Sequence, residues 1–353
     1  MIELDNWALF HETDPDDMLG RIAELPQQCR DAWANVQSLE LPSQYRQVNK
    51  IVVLGMGGSA IGGDLLRALA EPECALPIVT NRDYTVPAFV NAETVVIASS
   101  YSGNTEETLS ALAQARERGA KLLAITTDGK LAQQARELGV PLLTFCYKSQ
   151  PRAALGYALV SLIGVVHKLG LISDKTADLE EAIAVMEALQ EEIRETVPVT
   201  ENPAKQLAER LYGHLPVVYG SGYLAEVAHR WKTQFNENAK AWSFFEQLPE
   251  LNHNAVVGYQ FPEELSERIL VVMLISSLDH PRNKARFQVT REILTRHGIA
   301  YEAIEARGES PLAQMLSAIH FGDYVSYYLA LLYEVNPTPV RIIDYLKERL
   351  AQL

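Results

Sequence analysis

Cysteine is scarce in this sequence: Cys29, Cys74 and Cys146 are the only three among 353 residues, and no two form a CxxC pair. An odd, scattered set argues against a disulfide framework and lacks the spacing of a zinc site, so a reducing compartment is expected. Long apolar runs are also missing. Stretches such as Ile269–Ile275 are far too short to span a bilayer and read as buried strands. The opening residues, MIELDNWALFHETDPDD, are acidic and lack the basic and then apolar regions of a secretory leader. A cytoplasmic location without membrane attachment is therefore expected. Clusters of Lys and Arg are absent too, and 45 acidic against 31 basic residues leave a net charge of −14. Nucleic acid wants a basic footprint, so it is excluded as a partner; an anionic small molecule would need a locally positive site.

What is present is an ordinary globular composition, 48% hydrophobic and 22% charged, in a chain longer than one core usually supports. Residues 1–48 read as a helical lead-in, with Asp14 to Asp17 as a capping region before Met18, Ile22 and Leu25 at helical spacing. From Lys50 the pattern becomes strand, glycine turn, helix. Ile51–Leu54, Pro77–Thr80, Thr94–Ser99 and Lys121–Thr126 read as strands, with helices over Ser59–Ala70 and Thr105–Arg118. An apolar helix over Ala153–Leu169 and an acidic amphipathic one over Lys175–Glu195 follow, then Thr196–Pro203 with two prolines. The strand, turn and helix pattern recurs at Pro216–Tyr219, Gly220-Ser221-Gly222 and on to Trp231, and Ile269–Ser276 opens a further strand and helix. VVLGMGGSAIGGDLL matches VVYGSGYLAEVAHRW, and VVIASSYSGNTEETL matches VVMLISSLDHPRNKA, as diverged copies of one α/β unit. The expected fold is α/β, two doubly wound parallel-sheet domains with extra helices. The expected boundaries are 1–172 for the first with its lead-in, 173–203 for a connecting helix and linker, and 204–353 for the second.

The strongest local signal is Ser100-Tyr101-Ser102-Gly103-Asn104-Thr105, between a buried strand and a helix. Glycine permits a tight turn, and the hydroxyls of Ser100, Ser102 and Thr105 can converge with free N–H groups at the helix start on one anion. The plain alternative is that Thr105 merely caps the helix. The other glycine turn, Gly55-Met56-Gly57-Gly58-Ser59-Ala60, partly matches the dinucleotide fingerprint GxGxxA, with Asp83 as a stretched ribose ligand. A hydroxyl-rich loop on a later strand suits a small phosphorylated ligand better than a nicotinamide cofactor.

Taken in order, Gly57-Gly58-Ser59, SYSGNT, Pro151-Arg152, Asn236-Glu237-Asn238-Ala239-Lys240, Glu250-Leu251-Asn252-His253-Asn254, Pro337-Thr338-Pro339 and Leu346-Lys347 form a set that runs over nearly the whole chain. This set resembles the sugar-isomerase (SIS) domain family, and within it the phosphoglucose/phosphomannose isomerases that pair two such domains. The resemblance implies aldose–ketose isomerisation of glucose 6-phosphate or mannose 6-phosphate to fructose 6-phosphate through an enediol, within carbohydrate metabolism and with no cofactor or metal. It implies Glu237 as the base, His253 as the ring-opening group contributed across a homodimer, and Lys347 as a further proton-transfer or charge-stabilising group. Gly58, Ser59, Ser100, Ser102 and Thr105 would bind the substrate, with Arg152 facing the charge that develops on its oxygens. Thr338 is a candidate for the pocket wall near C2. Each has a plain structural alternative: a solvated helix-end glutamate, an exposed histidine, a surface arginine, a lysine on a terminal helix and a threonine in an ordinary turn. Rival functions are a non-catalytic sugar-phosphate sensor, lacking here a basic recognition helix, and an amidotransferase, for which the segment before the first half is too short for a glutaminase domain.

Overall fold

The computed structural model describes residues 3–352, which fold as two compact units. One comprises Ala23–Glu187 with Gly308–Leu316; the other comprises the chain up to Ile22, Ala188–Arg307 and Ser317–Leu353. They are called the cradle unit and the helix-capped unit below.

The cradle unit is built on five parallel strands, β1 (Lys50–Leu54), β2 (Ile78–Asn81), β3 (Thr94–Ser100), β4 (Lys121–Thr126) and β5 (Leu142–Thr144), in the order β2-β1-β3-β4-β5. Every residue of β3 is buried, as a central parallel strand covered on both faces requires. One cluster joins Val52, Leu54, Val96 and Ala98 of the sheet to Ala111, Ala115, Leu131 and Ala135 of two helices, Glu106–Glu117 and Gly129–Leu138. The apolar helix Leu155–Lys168 packs between Gly57–Ala70 and Leu25–Gln37, and twelve of its fourteen residues are buried. Small residues let these helices approach. A Cβ at Gly164 would lie 2.3 Å from a Val36 methyl, and one at Gly156 would lie 2.5 Å from the Gln28 side chain.

The helix-capped unit repeats the plan with four parallel strands, β6 (Leu215–Ser221), β7 (Phe244–Leu248), β8 (Ile269–Ile275) and β9 (Ala300–Glu305), ordered β7-β6-β8-β9. The order matches β2-β1-β3-β4 element for element. The turn glycines after β1 and β6, Gly57 and Gly222, share a φ of +50°, a left-handed conformation that side-chain-bearing residues rarely take. The expected internal repeat and two parallel sheets are thus present.

Helix Ala225–Glu237 follows β6 and is held by the Ser317–Leu332 part of helix Pro311–Leu332. Trp231 is 1% exposed and donates through Nε1 to the Ala318 carbonyl at 2.9 Å, and Gly322 leaves room for its ring. The Asp323 carboxylate accepts from Arg230 at 2.7 Å and from the Gln234 amide nitrogen at 2.9 Å; both donors lie in the buried seam. At the start of the chain Asp14 accepts from the amides of Met18 and Leu19, so the expected capping region does cap the helix Met18–Ala23. Fully buried Lys205 donates to the carbonyls of Leu4, Glu195 and Val197, each at 2.7 Å, which satisfies all three ammonium donors. Among the described residues no helix is long and apolar enough to cross a membrane.

His320 sits in the same seam, fully buried, edge-on to Tyr324 and without a hydrogen-bond partner at either ring nitrogen among the described residues. Burial pushes its pKa down to about 3, whereas in the unfolded chain it titrates near 6.5. Below pH 6.5 the unfolded state therefore takes up a proton that the folded state refuses, and stability falls as pH drops toward 3. His320→Leu should remove that component. Urea melts at pH 4 and pH 7 should differ less for the variant than for the wild type, by up to about 1.4 kcal/mol per pH unit. Identical pH dependence in the two proteins would show that His320 is not an acid-sensitive point.

Candidate functional site

In the cradle unit the SYSGNT loop runs from the end of β3 into helix Glu106–Glu117. Thr105 is the residue before that helix, yet its side chain makes no capping bond. Its Oγ1 instead pairs with Ser100 Oγ at 2.9 Å, so the plain capping alternative does not describe it. Ser102 Oγ accepts from the Asn104 amide at 3.2 Å and remains exposed at the rim. Gly103 has a φ of +66°, and a Cβ there would lie 1.8 Å from the Asp128 carbonyl oxygen. Only glycine lets the loop interlock with the 126–131 turn, where the Leu131 amide donates to the Gly103 carbonyl and the Thr127 hydroxyl donates to the Tyr101 carbonyl. The result is a rigid hydroxyl-lined loop at the N-terminal end of a twelve-residue helix, where first-turn N–H groups and the helix dipole favour an anion.

Two contacts position the segment that carries Arg152. Tyr101 Oη donates to the Tyr147 carbonyl and accepts from the Ser149 amide at 2.7 Å, anchoring the irregular segment that leads to Pro151. From the other side, a Cβ at Gly58 would lie 2.6 Å from the Pro151 carbonyl oxygen and 3.0 Å from the Arg152 nitrogen, so a glycine there permits the close approach. Ser59 is buried and lines a narrow cleft with Ser99, Tyr101 and Pro151. Gly58 and Ser59 therefore meet the Pro151–Arg152 backbone beside the end of β3. Arg152 itself is 3% exposed, not the surface arginine of the plain alternative. Tyr101 was visible only as part of the motif; its positioning role rests on contacts 46 and 48 residues away.

In the helix-capped unit Glu237 is the last residue of helix Ala225–Glu237 and is partly buried. Beyond it the backbone reverses. Lys240 takes a φ of +55°, a left-handed conformation costly for a residue with a side chain. Its ammonium donates to the Glu237 carbonyl and, at 3.0 Å, to the Pro337 carbonyl. That bridge draws the Pro337-Thr338-Pro339 turn to the end of the Glu237 helix. Thr338 is 8% exposed, and its amide donates to Asn336 Oδ1 at 2.8 Å. Asn236 donates to the Ala241 carbonyl and buried Asn238 to Ser326, so the asparagines flanking Glu237 lock the backbone around it. Lys240 carried no assigned role in the sequence, and its left-handed backbone left no signal there.

His253 and Lys347 are placed differently. His253 ends the short 3₁₀ turn Glu250–His253, anchored by buried Leu251 and by Asn252, which donates to Thr290 Oγ1 at 2.9 Å. The imidazole is exposed. Lys347 is exposed on helix Arg341–Leu350, none of whose residues is buried. A single chain thus leaves both at its surface.

Residues 200–350 match the family described as "Bacterial phospho-glucose isomerase C-terminal SIS domain", and residues 44–162 match the SIS domain. The bifunctional phosphoglucose/phosphomannose isomerase of Caldicellulosiruptor bescii is 43% identical over 337 residues, covering 95% of this chain and 99% of that protein. A protein of the same name from Aquifex aeolicus is 38% identical, covering 86% of this chain and 90% of its own. The solved structure of tagatose-6-phosphate ketose/aldose isomerase from Escherichia coli superposes with a TM-score of 0.71 over 91% of this chain and 94% of that one, at 18% identity, a likeness of fold. At 43% and 38% identity over most of its length, this chain belongs to the bifunctional phosphoglucose/phosphomannose isomerase family.

Proposed function

We propose that this protein interconverts glucose 6-phosphate and mannose 6-phosphate with fructose 6-phosphate by proton transfer between C1 and C2, as a cytoplasmic enzyme of carbohydrate metabolism. The observation that carries this reading is the full-length similarity to relatives named for that activity. The hydroxyl-lined loop is the natural seat for the phosphate, with Ser100, Ser102 and Thr105 donating to its oxygens beside the first-turn amides. Gly58 and Ser59 shape the adjoining turn.

In the reaction the Glu237 carboxylate removes the proton from C2 of the open-chain aldose. The electron pair left behind forms the C1–C2 double bond of an enediolate as the carbonyl oxygen gains negative charge. A proton then passes from O2 to O1, the same carboxyl returns its proton to C1 as C2 becomes the carbonyl, and no electrons leave the sugar. Arg152 supplies a fixed planar cation for the enediolate oxygens, and Lys347 a second positive group. Ring opening requires a proton relay between O5 and O1, which imidazole suits near neutral pH. We assign that to His253 of a second copy in a homodimer, consistent with its exposure on one chain. Because C2 is planar in the enediolate, one base can serve both epimers. Thr338, whose turn Lys240 ties to the Glu237 helix, is a small side chain suited to the wall near C2.

Two experiments bear on the assignments. The Ser102→Ala, Thr105→Ala double variant should bind glucose 6-phosphate and mannose 6-phosphate more weakly by a similar factor, tenfold or more, since each bond to a charged group contributes about 1.5–3 kcal/mol. Unchanged KM for both sugars would remove the phosphate from this loop. Glu237→Gln should bind substrate almost normally while losing solvent-deuterium exchange at C2 of glucose 6-phosphate. Exchange at a near wild-type rate would mean that another group is the base.

A further inference from the structure

Both units carry the same crevice and furnish it differently. In each sheet the strand order reverses beside the first strand, between β1 and β3 in the cradle unit and between β6 and β8 in the helix-capped unit. Open α/β sheets receive their ligands at the carboxyl ends of the strands at such a point. Gly57 and Gly222 open the turns after β1 and β6 with the same φ of +50°. At Gly57 there is room: a Cβ placed there meets nothing within 4 Å among the described residues. At Gly222 it would lie 3.1 Å from Oδ1 of Asp279.

Asp279 lies in the loop that leaves β8, and in the pairing of the two halves it stands opposite Gly103 of the SYSGNT loop. It is 6% exposed, and its Oδ2 has no hydrogen-bond partner among the described residues. Burial raises its pKa above the ordinary carboxylate value, against the pull of the Ser221 hydroxyl, the Ser276 amide and the Lys284 charge. Ser221 and Ser276 are themselves buried, and Lys284 is held nearby by the Ser277 carbonyl, to which it donates at 2.5 Å. A carboxylate whose charged form is disfavoured, with one oxygen left over, is not accounted for as a stabilising contact. A hydroxyl, an amide and an ammonium around one enclosed anion are the donor set of an oxyanion seat. The rest of the loop has lost its donors. Leu278 and Pro281 stand where the cradle loop has Ser102 and Thr105, and His280 takes the Arg282 amide at 3.1 Å.

We propose that the helix-capped unit holds a second seat for a phosphate-type anion at the Gly222 turn, and that the Asp279 carboxylate fills this seat from within. Ser221 Oγ, the Ser276 amide and Lys284 Nζ are its donors. Each chain then has one open cradle and one seat closed by its own side chain. Removing the carboxylate leaves the turn and the donors in place, so the seat becomes available to inorganic phosphate. The parallel rests on the reading of the SYSGNT loop as a phosphate seat, and the two readings fail at different signals in one experiment.

The test titrates the isotope-labelled full-length chain with inorganic phosphate and follows backbone amide resonances. In Asp279→Ala the Gly222 and Ser276 signals should move saturably. In wild type, and in Asp279→Asn, whose side chain fills the same space, they should stay in place. The Gly103 and Asn104 signals should move in all three proteins. Adding Lys284→Gln to Asp279→Ala should weaken the new site at least about tenfold, the scale of one charge-assisted bond to phosphate. Circular dichroism reports that each variant is folded, and Asp279→Ser takes the place of the alanine variant if that chain does not fold. Unmoved Gly222 and Ser276 signals in the folded Asp279→Ala chain, saturable movement of them in wild type, or a new site indifferent to Lys284→Gln would each overturn the proposal. Gly103 and Asn104 signals that never move, beside Gly222 and Ser276 signals that do in Asp279→Ala, would remove the phosphate from the SYSGNT loop and leave the second seat standing.

Discussion

The buried Asp323 carboxylate is the fixed point of the helix-capped unit. It accepts from Arg230 and Gln234, one helical turn apart on Ala225–Glu237, and thereby fixes that helix in rotation as well as in position. A charge in such a seam is tolerable only because its partners are equally enclosed; removing one side of a buried pair typically costs about 3–5 kcal/mol. Everything that places Glu237 follows from this. Trp231 seats against Ala318, Asn238 reaches Ser326, and the chain leaves the helix through the left-handed Lys240, whose ammonium reaches back to the Glu237 carbonyl and across to Pro337. The strained backbone is compensated by the two carbonyl contacts that it makes possible.

The cradle unit reaches rigidity by another route. Two successive loops at the ends of β3 and β4 interlock through backbone groups, and Gly103 is the position at which any side chain would collide with the neighbouring loop. Tyr101 extends the lock to the Tyr147–Ser149 segment, so the hydroxyl-lined loop and the chain leading to Arg152 belong to one connected framework. Anion binding at a helix start gains most when hydroxyls and amides are already oriented before the ligand arrives. Thr105, engaged by Ser100 and not by its own helix, is held in that way.

Local chemistry made much of this legible. Apolar runs followed by glycine-bearing turns announced β1, β3 and β6, an apolar run ending in a polar loop announced β8, and the SYSGNT composition marked the cradle loop before its geometry was known. Strand β7, Phe244–Leu248, was not legible, because as a sheet edge it is half exposed and its sequence FFEQL has no continuous apolar run. Helix Pro311–Leu332 was missed for the opposite reason. It is apolar around most of its circumference, as a helix surrounded by protein must be, so the amphipathic period that announces surface helices is absent. The contacts of Asp323 with residues 89 and 93 positions away, and of Tyr101 with the segment before Arg152, join distant parts of the chain and leave no local pattern to read.

The central claim is that one enediolate, formed at one glutamate, links both aldose epimers to the ketose. The most direct measurement is to supply the wild-type enzyme with glucose 6-phosphate alone in deuterium oxide and follow the products by NMR. The account predicts fructose 6-phosphate followed by mannose 6-phosphate carrying solvent deuterium at C2. Fructose 6-phosphate without any mannose 6-phosphate at equilibrium, or no isomerisation at all, would contradict it.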